Sequence, residues 1–311
     1  MRCTVALVVV VAALIAGVAA SAQRGGEVVR DAGGKPIEGD ARLLFAARHG
    51  RADVVRALLA SGVPPAARDP ESGATALHHA AGVGALAVVR ELLYDGTALA
   101  PGAAALLELA DVHGARPLHY AAANARRDAV RALLAAGASP LARTRAGATP
   151  LYDAARHGAL GALELLARAA PSTVEQRAGD GTTPLYVAAA AGEEACAEAL
   201  LEAGADVHAR MDGGTGGAAA AAGTGETALH AAARTNNVAL VALLLEYGAD
   251  VRAQTAHGAF TPLHAAVAAD QQRVYGALLH SEHGSAAALV KDANGDTPRA
   301  LLERLGATLL H

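Results

Sequence analysis

One short segment, ATALHHAAGVG at residue 74, returns along the chain. It comes back as ARPLHYAAANA at 115, ATPLYDAARHG at 148, TTPLYVAAAAG at 182, ETALHAAARTN at 226 and FTPLHAAVAAD at 260. The leucines Leu77, Leu118, Leu151, Leu185, Leu229 and Leu263 mark the register, with spacings of 41, 33, 34, 44 and 34 residues. A pattern that recurs at near-constant spacing describes one small unit that cannot bury its apolar face alone and must lean on its neighbours. A second pattern follows each copy: VVRALLASG at 54, VVRELLYDG at 88, AVRALLAAG at 129, ACAEALLEAG at 195 and LVALLLEYG at 240. An apolar pair, a gap of two and a leucine pair form the one-sided stripe of a helix. The closing glycines at 62, 96, 137, 204 and 248 suit a left-handed helix end.

The material for the core fits helices. Hydrophobic residues make up 53% of the 311, yet aromatics are only 3%, with no Trp and two Phe. A core of Ala, Leu and Val suits close-packed short helices better than a sheet sandwich, so the expected class is all-α.

These motifs resemble those of the ankyrin-repeat family, over about residues 40–305. Thr before Pro in Thr149-Pro150, Thr183-Pro184, Thr261-Pro262 and Thr297-Pro298 caps a helix whose first residue needs no N–H. Arg116 replaces that cap in the third unit, where a weaker helix start is expected. The resemblance implies an all-α solenoid of stacked helix-turn-helix units with β-turn fingers, about seven repeats plus a C-terminal partial cap. It also implies that His78, His119, His230 and His264, replaced by Tyr152 and Tyr186 in two copies, bond the finger backbone. A metal ligand would not exchange with Tyr so freely. His79 is expected to pack.

Residues 40–62 carry both helix patterns without the TPLH letters and read as an N-terminal unit; residues 291–306 read as a C-terminal cap, with Arg299 where an apolar residue would face onward. Two loop insertions break the period, near 97–108 and 211–223, and are expected to be flexible. Residues 306–311 form a tail. Residues 1–22 read as a secretory signal peptide, with Arg2, an apolar run from Val5 to Val18 and Ala20-Ser21-Ala22 at the cleavage positions; residues 23–39 read as a linker. An uncleaved helix anchoring a membrane-tethered adaptor is the alternative. Cys196, the single cysteine left after cleavage of the leader that carries Cys3, reads as a buried inert thiol.

Catalytic signatures are missing. Gly214-Thr-Gly216-Gly-Ala-Ala219 imitates a dinucleotide fingerprint, but no strand precedes it and no βαβ unit surrounds it. His49 and His157 lie about three repeats apart, too far to share a metal. No enzyme activity, metal, cofactor or small-molecule substrate is therefore expected. The net charge of −4 and pI near 6.3 argue against nucleic acid, and the excess of Arg over Lys is put down to a GC-rich genome.

Function is sought where the scaffold leaves letters free. By the family resemblance, partners dock on the inner-helix face and the fingertips. The inner-helix candidates are Arg48, His49, Asn124, Arg156, His157, Arg234 and Thr235; the fingertip candidates are His113, Arg145, Asp180, Glu226 and Phe260. Arg48, Arg156 and Arg234 would suit an acidic segment of a partner protein. The expectation is a secreted or luminal monomer that acts as a non-catalytic protein-binding scaffold.

Overall fold

The computed structural model describes residues 39–212 and 224–306. Residues 1–22, expected as a signal peptide, nearly all of the expected linker, the glycine-rich stretch 213–223 and residues 307–311 lie outside the described residues.

Among the described residues, seven antiparallel helix pairs stack in single file and a single helix closes the array. The inner helices are Asp40–Arg48, Ala76–Val83, Pro117–Ala123, Pro150–Arg156, Pro184–Ala191, Ala228–Ala233 and Pro262–Ala268. Their outer partners are Ala52–Ala60, Leu86–Leu93, Arg127–Ala135, Leu160–Ala169, Glu194–Glu202, Val238–Glu246 and Gln272–Leu279. Each inner helix packs on the next inner helix and on its own outer one. The repeated leucines Leu77, Leu118, Leu151, Leu185, Leu229 and Leu263 are all buried, in one apolar cluster running from Leu43 to Ala287. Of the outer pair in the third unit, Leu133 is buried and Leu134 half-buried. Beside these leucines lie alanine pairs such as Ala80-Ala81 and Ala154-Ala155, whose small side chains let the inner helices approach closely.

Helix starts follow the cap logic. Thr149 and Thr183 accept the backbone N–H groups of Tyr152 and Tyr186 at 3.2 Å. In the TxLH copies the histidine joins in: the N–H of Thr75, Thr227 and Thr261 donates to Nδ1 of His78, His230 and His264 at 3.0–3.2 Å. Arg116 has no oxygen to offer; His119 Nδ1 accepts its backbone N–H as in the other copies, while its guanidinium pairs with Glu108. The helix still forms over Pro117–Ala123, without a side-chain acceptor for its first N–H groups.

Helix ends at Gly62, Gly137, Gly204 and Gly248 adopt φ of 85–96°, as a left-handed end requires. Gly96 differs. Its helix stops at Leu93, and Gly96 instead occupies the turn of a hairpin that pairs Tyr94 with Leu99 and Asp95 with Ala98. The insertion expected as a loop at 97–108 is thus ordered, as that hairpin and the helix Ala103–Glu108. Its Ala103, Leu106 and Leu107 are buried, which explains why it folds.

The fingers form a ladder. Backbone N–H groups of Val112, Arg145, Gly179, Ala256 and Ala293 donate to carbonyls of Ser72, His113, Ala146, Thr224 and Gly258, at 2.6–2.9 Å. A Cβ on Gly147 would lie 2.7 Å from the next finger's Gly179 N, so the close stacking needs glycine there. Arginines stitch the same ladder. Arg68, Arg143, Arg177 and Arg210 each donate to a carbonyl of their own finger and to one in the next unit, and Gln254 takes the place in the seventh. Base composition alone does not account for these four arginines; each holds two units together.

Candidate concave protein-binding face

The inner-helix face contains three columns of side chains, one residue from each unit. The last-turn column was expected to be free of structural duty, and it is not. His49 Nδ1 reaches the Phe45 carbonyl and His157 Nδ1 the Asp153 carbonyl, both at 2.8 Å; Asn124 Nδ2 donates to Tyr120 O at 2.8 Å and Thr235 Oγ1 to Ala232 O at 2.7 Å. Each of these carbonyls also accepts the backbone N–H of the same residue, so the side chain adds a second bond at the helix end. His49 is also stacked on Phe45, with ring centroids 4.0 Å apart.

The arginine column divides. Arg48 and Arg156 are exposed and make no ion pair among the described residues. Arg234 donates to both carboxylate oxygens of Glu226, at 2.7 and 2.6 Å, and to the Tyr186 hydroxyl at 3.0 Å. Glu226 also accepts from Tyr186 at 2.6 Å. Burial alone would raise the Glu226 carboxyl, but these donors hold it below the ordinary value. Two candidate contact residues are therefore committed to each other, and the three-arginine strip loses its third member.

The fingertip candidates also separate. His113 and Arg145 are exposed and joined through the His113 carbonyl. Asp180 Oδ1 accepts the N–H and hydroxyl of Thr182, which makes it a turn-forming residue. Phe260 is half-buried against Val267, Leu301 and Leu302 rather than presented at a tip. Its ring is drawn into the junction with the closing helix by the apolar area available there.

A third column, two positions after the buried leucine of each of the first five inner helices, was missed as a candidate surface. It runs Phe45, His79, Tyr120, Asp153 and Val187. Phe45 is exposed and the other four are half-buried. Tyr120 donates to Asp111 Oδ2 at 2.9 Å and meets the His78 ring edge-on at 5.1 Å. His79 Nε2 is buried without a hydrogen-bond partner, and burial together with Arg48 lowers its pKa while Asp69 opposes them. Burial pushes the Asp153 carboxyl up to about 6, against the pull of His157 and Arg156. The signal for this column was in the sequence: it is the letter after TxLH or TPLY that changes from unit to unit while the alanines beside it stay.

Thus the first four units present aromatic and charged side chains on the inner-helix face. Unit five presents Val187, Ala190 and Ala191 and unit seven Ala268 and Ala269, while unit six presents Thr235 and an Arg234 already paired with Glu226. Cys196 is buried and its thiol is pushed up to about 11 by that burial, so it is poorly disposed to react. Among the described residues no group of His, Cys, Asp and Glu is placed to hold a metal ion, and no helix is long and apolar enough to cross a membrane.

The profile of the family described as ankyrin repeats (3 copies) matches residues 26–101, 43–144, 118–211 and 215–297. The chain belongs to the ankyrin-repeat family. The ankyrin array also superposes on the crystal structure of the human ASB11 ankyrin repeat domain, with a TM-score of 0.62, 30% identity, and coverage of 76% of this chain and 96% of that one. Among curated proteins, the human neurogenic locus notch homolog protein 4 is 40% identical over 93 residues, which is 30% of this chain and 5% of that protein. The Drosophila melanogaster neurogenic locus Notch protein is 36% identical over 120 residues, 39% of this chain and 4% of that protein. The matched ankyrin segment is thus a small fraction of those relatives. Ankyrin repeats are generally protein–protein interaction modules.

Proposed function

We propose that this ankyrin array is a non-catalytic scaffold that binds a partner protein on the concave face of its first four units. The observation that carries the reading is the pair Arg48 and Arg156, exposed on the inner-helix face without an ion-pair partner among the described residues, beside the changing column Phe45, His79, Tyr120 and Asp153. The two exposed arginines are available for contact, and a rigid stack offers them at low ordering cost. An acidic segment of the partner fits the two arginines. The chain acts as a monomer in this reading, and it enters the secretory pathway through residues 1–22.

A photo-crosslinking amino acid at Val83 or Arg156, on the concave face, is expected to trap the partner. The same group at Arg56 or Arg131, on outer helices, is expected to trap none. Adducts confined to the outer positions would overturn the proposal. For the secretory route, the mature N-terminus should lie at or near Gln23; a chain retaining Met1 in a membrane fraction would instead support the tethered form.

A further inference from the structure

The described array is electrically lopsided. Residues 40–170 carry 14 Arg against 11 Asp and Glu, whereas residues 171–306 carry eight Arg and Lys against 16 acids. The difference concentrates on one edge, where the short loops join inner to outer helices. Each such loop receives the C-terminus of one helix and the N-terminus of the next, so the opposed helix dipoles largely cancel and side chains set the sign. In the first four units that edge holds Arg48, Arg51, Arg126, Arg127 and Arg156; in the fifth and seventh it holds Glu193, Glu194 and Asp270, and in the sixth Arg234, whose charge Glu226 offsets.

The arginines are spread rather than bunched. The stem of Arg126 lies back over Gly84 of the second unit, its Cδ 3.0 Å from where a Cβ on that glycine would be. Arg127 lies forward over Gly161 of the fourth unit at the same distance. Arg51 is paired with Asp53 at 3.6 Å, and Arg126 gives only its Nε, to the Gly82 carbonyl at 3.2 Å. Arg48, Arg127 and Arg156 make no ion pair among the described residues. The basic stretch ends at the fifth unit, where the Glu193 carboxylate leans against Gly158.

The geometry points to this loop edge, from Arg48 to Arg156, as a docking strip for an extended acidic protein segment. The inference rests on the scaffold reading above and adds to it the chemistry, length and position of the bound segment. Helices packed 8–10 Å apart place the first and fourth units roughly 30 Å apart. An extended chain covers that span in about nine residues. The acidic edge of the later units repels the same segment and confines it to the first four.

The test uses the full chain and two labelled ten-residue peptides, one of alternating Glu and Ser and one with Gln in place of Glu, followed by fluorescence anisotropy. The Glu peptide should bind at 50 mM salt and be released at 300 mM, and the Gln peptide should not bind. The double variant Arg48→Glu, Arg127→Glu should weaken the Glu peptide at least tenfold with an unchanged circular dichroism spectrum, whereas Arg299→Glu at the far end should leave it unaltered. Unchanged binding by the double variant, an equal loss in Arg299→Glu, or tighter binding of single-stranded DNA of matching charge would overturn the strip. If the double variant still captures the partner at Val83 with the same salt dependence, the strip is wrong and the concave scaffold stands. If the Glu peptide binds as expected but no partner crosslinks at Val83 or Arg156, the scaffold reading fails and the strip survives.

Discussion

Two kinds of junction hold the array together, and they solve one problem with different chemistry. After the second, third, sixth and seventh units a buried histidine crosses the gap: Nε2 of His78, His119, His230 and His264 lies 3.0–3.3 Å from the carbonyls of Ala115, Ala148, Phe260 and Asp296. Because Nδ1 accepts a backbone N–H in each case, the proton sits on Nε2 and is donated forward. After the fourth and fifth units a tyrosine crosses instead. Tyr152 meets the Thr182 hydroxyl at 2.8 Å, and Tyr186 meets Glu226. A histidine junction needs only a carbonyl, which every unit has. A tyrosine junction needs a particular side chain in the following unit, so it is built from two letters at once.

Acid should separate the two kinds most strongly. Burial lowers His78 and His119 from the ordinary 6.5 to about 4, and it lowers His230 and His264 in the same direction. Between pH 6.5 and about 4 the unfolded chain takes up protons that the folded histidines refuse, so stability is complete above pH 6.5 and drains away as pH falls. The loss approaches about 3 kcal/mol for each of His78 and His119. Asp153 opposes this, since its folded carboxyl binds a proton near pH 6 while the unfolded one does not. Urea titrations at pH 7 and pH 5 should show a lower midpoint in acid. Hydrogen exchange at pH 5, corrected for the intrinsic rate, should show the second, third, sixth and seventh units opening before the fourth and fifth. Uniform loss of protection would break the comparison.

The Tyr186 junction should respond to removal of a charge instead. Arg234→Ala leaves the Glu226 carboxylate, 18% exposed, with the tyrosine hydroxyl alone. A cost of about 1.5–2 kcal/mol is expected once partial solvent exposure is allowed for. Arg156→Ala, on the same column without an ion pair, should lie within about 0.5 kcal/mol of the parent. Equal effects of the two would mean that the Glu226 pair holds nothing. The simpler Tyr152 junction is worth less: Tyr152→Phe should cost about 1 kcal/mol, because Thr182 keeps its bond to Asp180 at 2.6 Å.

The same contrast explains what could be read from the letters. The solenoid, the buried leucines and the histidine keys were legible because each depends on one residue in fixed register with its own backbone. Glu226 and Arg234 were both named as contact residues, eight positions apart, and nothing in the repeat pattern announces that they meet over Tyr186, 40 positions before Glu226. His49, Asn124, His157 and Thr235 were misread for a different reason. Three residue types, His, Asn and Thr, bond a carbonyl three or four positions back at the helix end, so the function recurs while the letter changes. The stitching arginines hid in a composition bias, and the shifting finger length moves them in and out of register with the TPL motif.

The smallest expected effect lies where a histidine junction has lost its usual companion. At the third unit Arg116 stands in the cap position, and His119 accepts its backbone N–H at 3.1 Å without a hydroxyl beside it. Arg116→Thr would supply the missing acceptor, worth about 1 kcal/mol at a helix start. It would also remove the ion pair with Glu108, whose partners are 29% and 40% exposed and which contributes under about 1 kcal/mol. The net gain at low salt should therefore be a few tenths of a kcal/mol. Salt decides the interpretation, since raising it to 0.5 M screens the Arg116 pair in the parent but leaves the threonine cap untouched. The advantage of the variant in urea midpoint should widen with salt, and an advantage that shrinks would assign the stability of this junction to the Glu108 pair rather than to the cap.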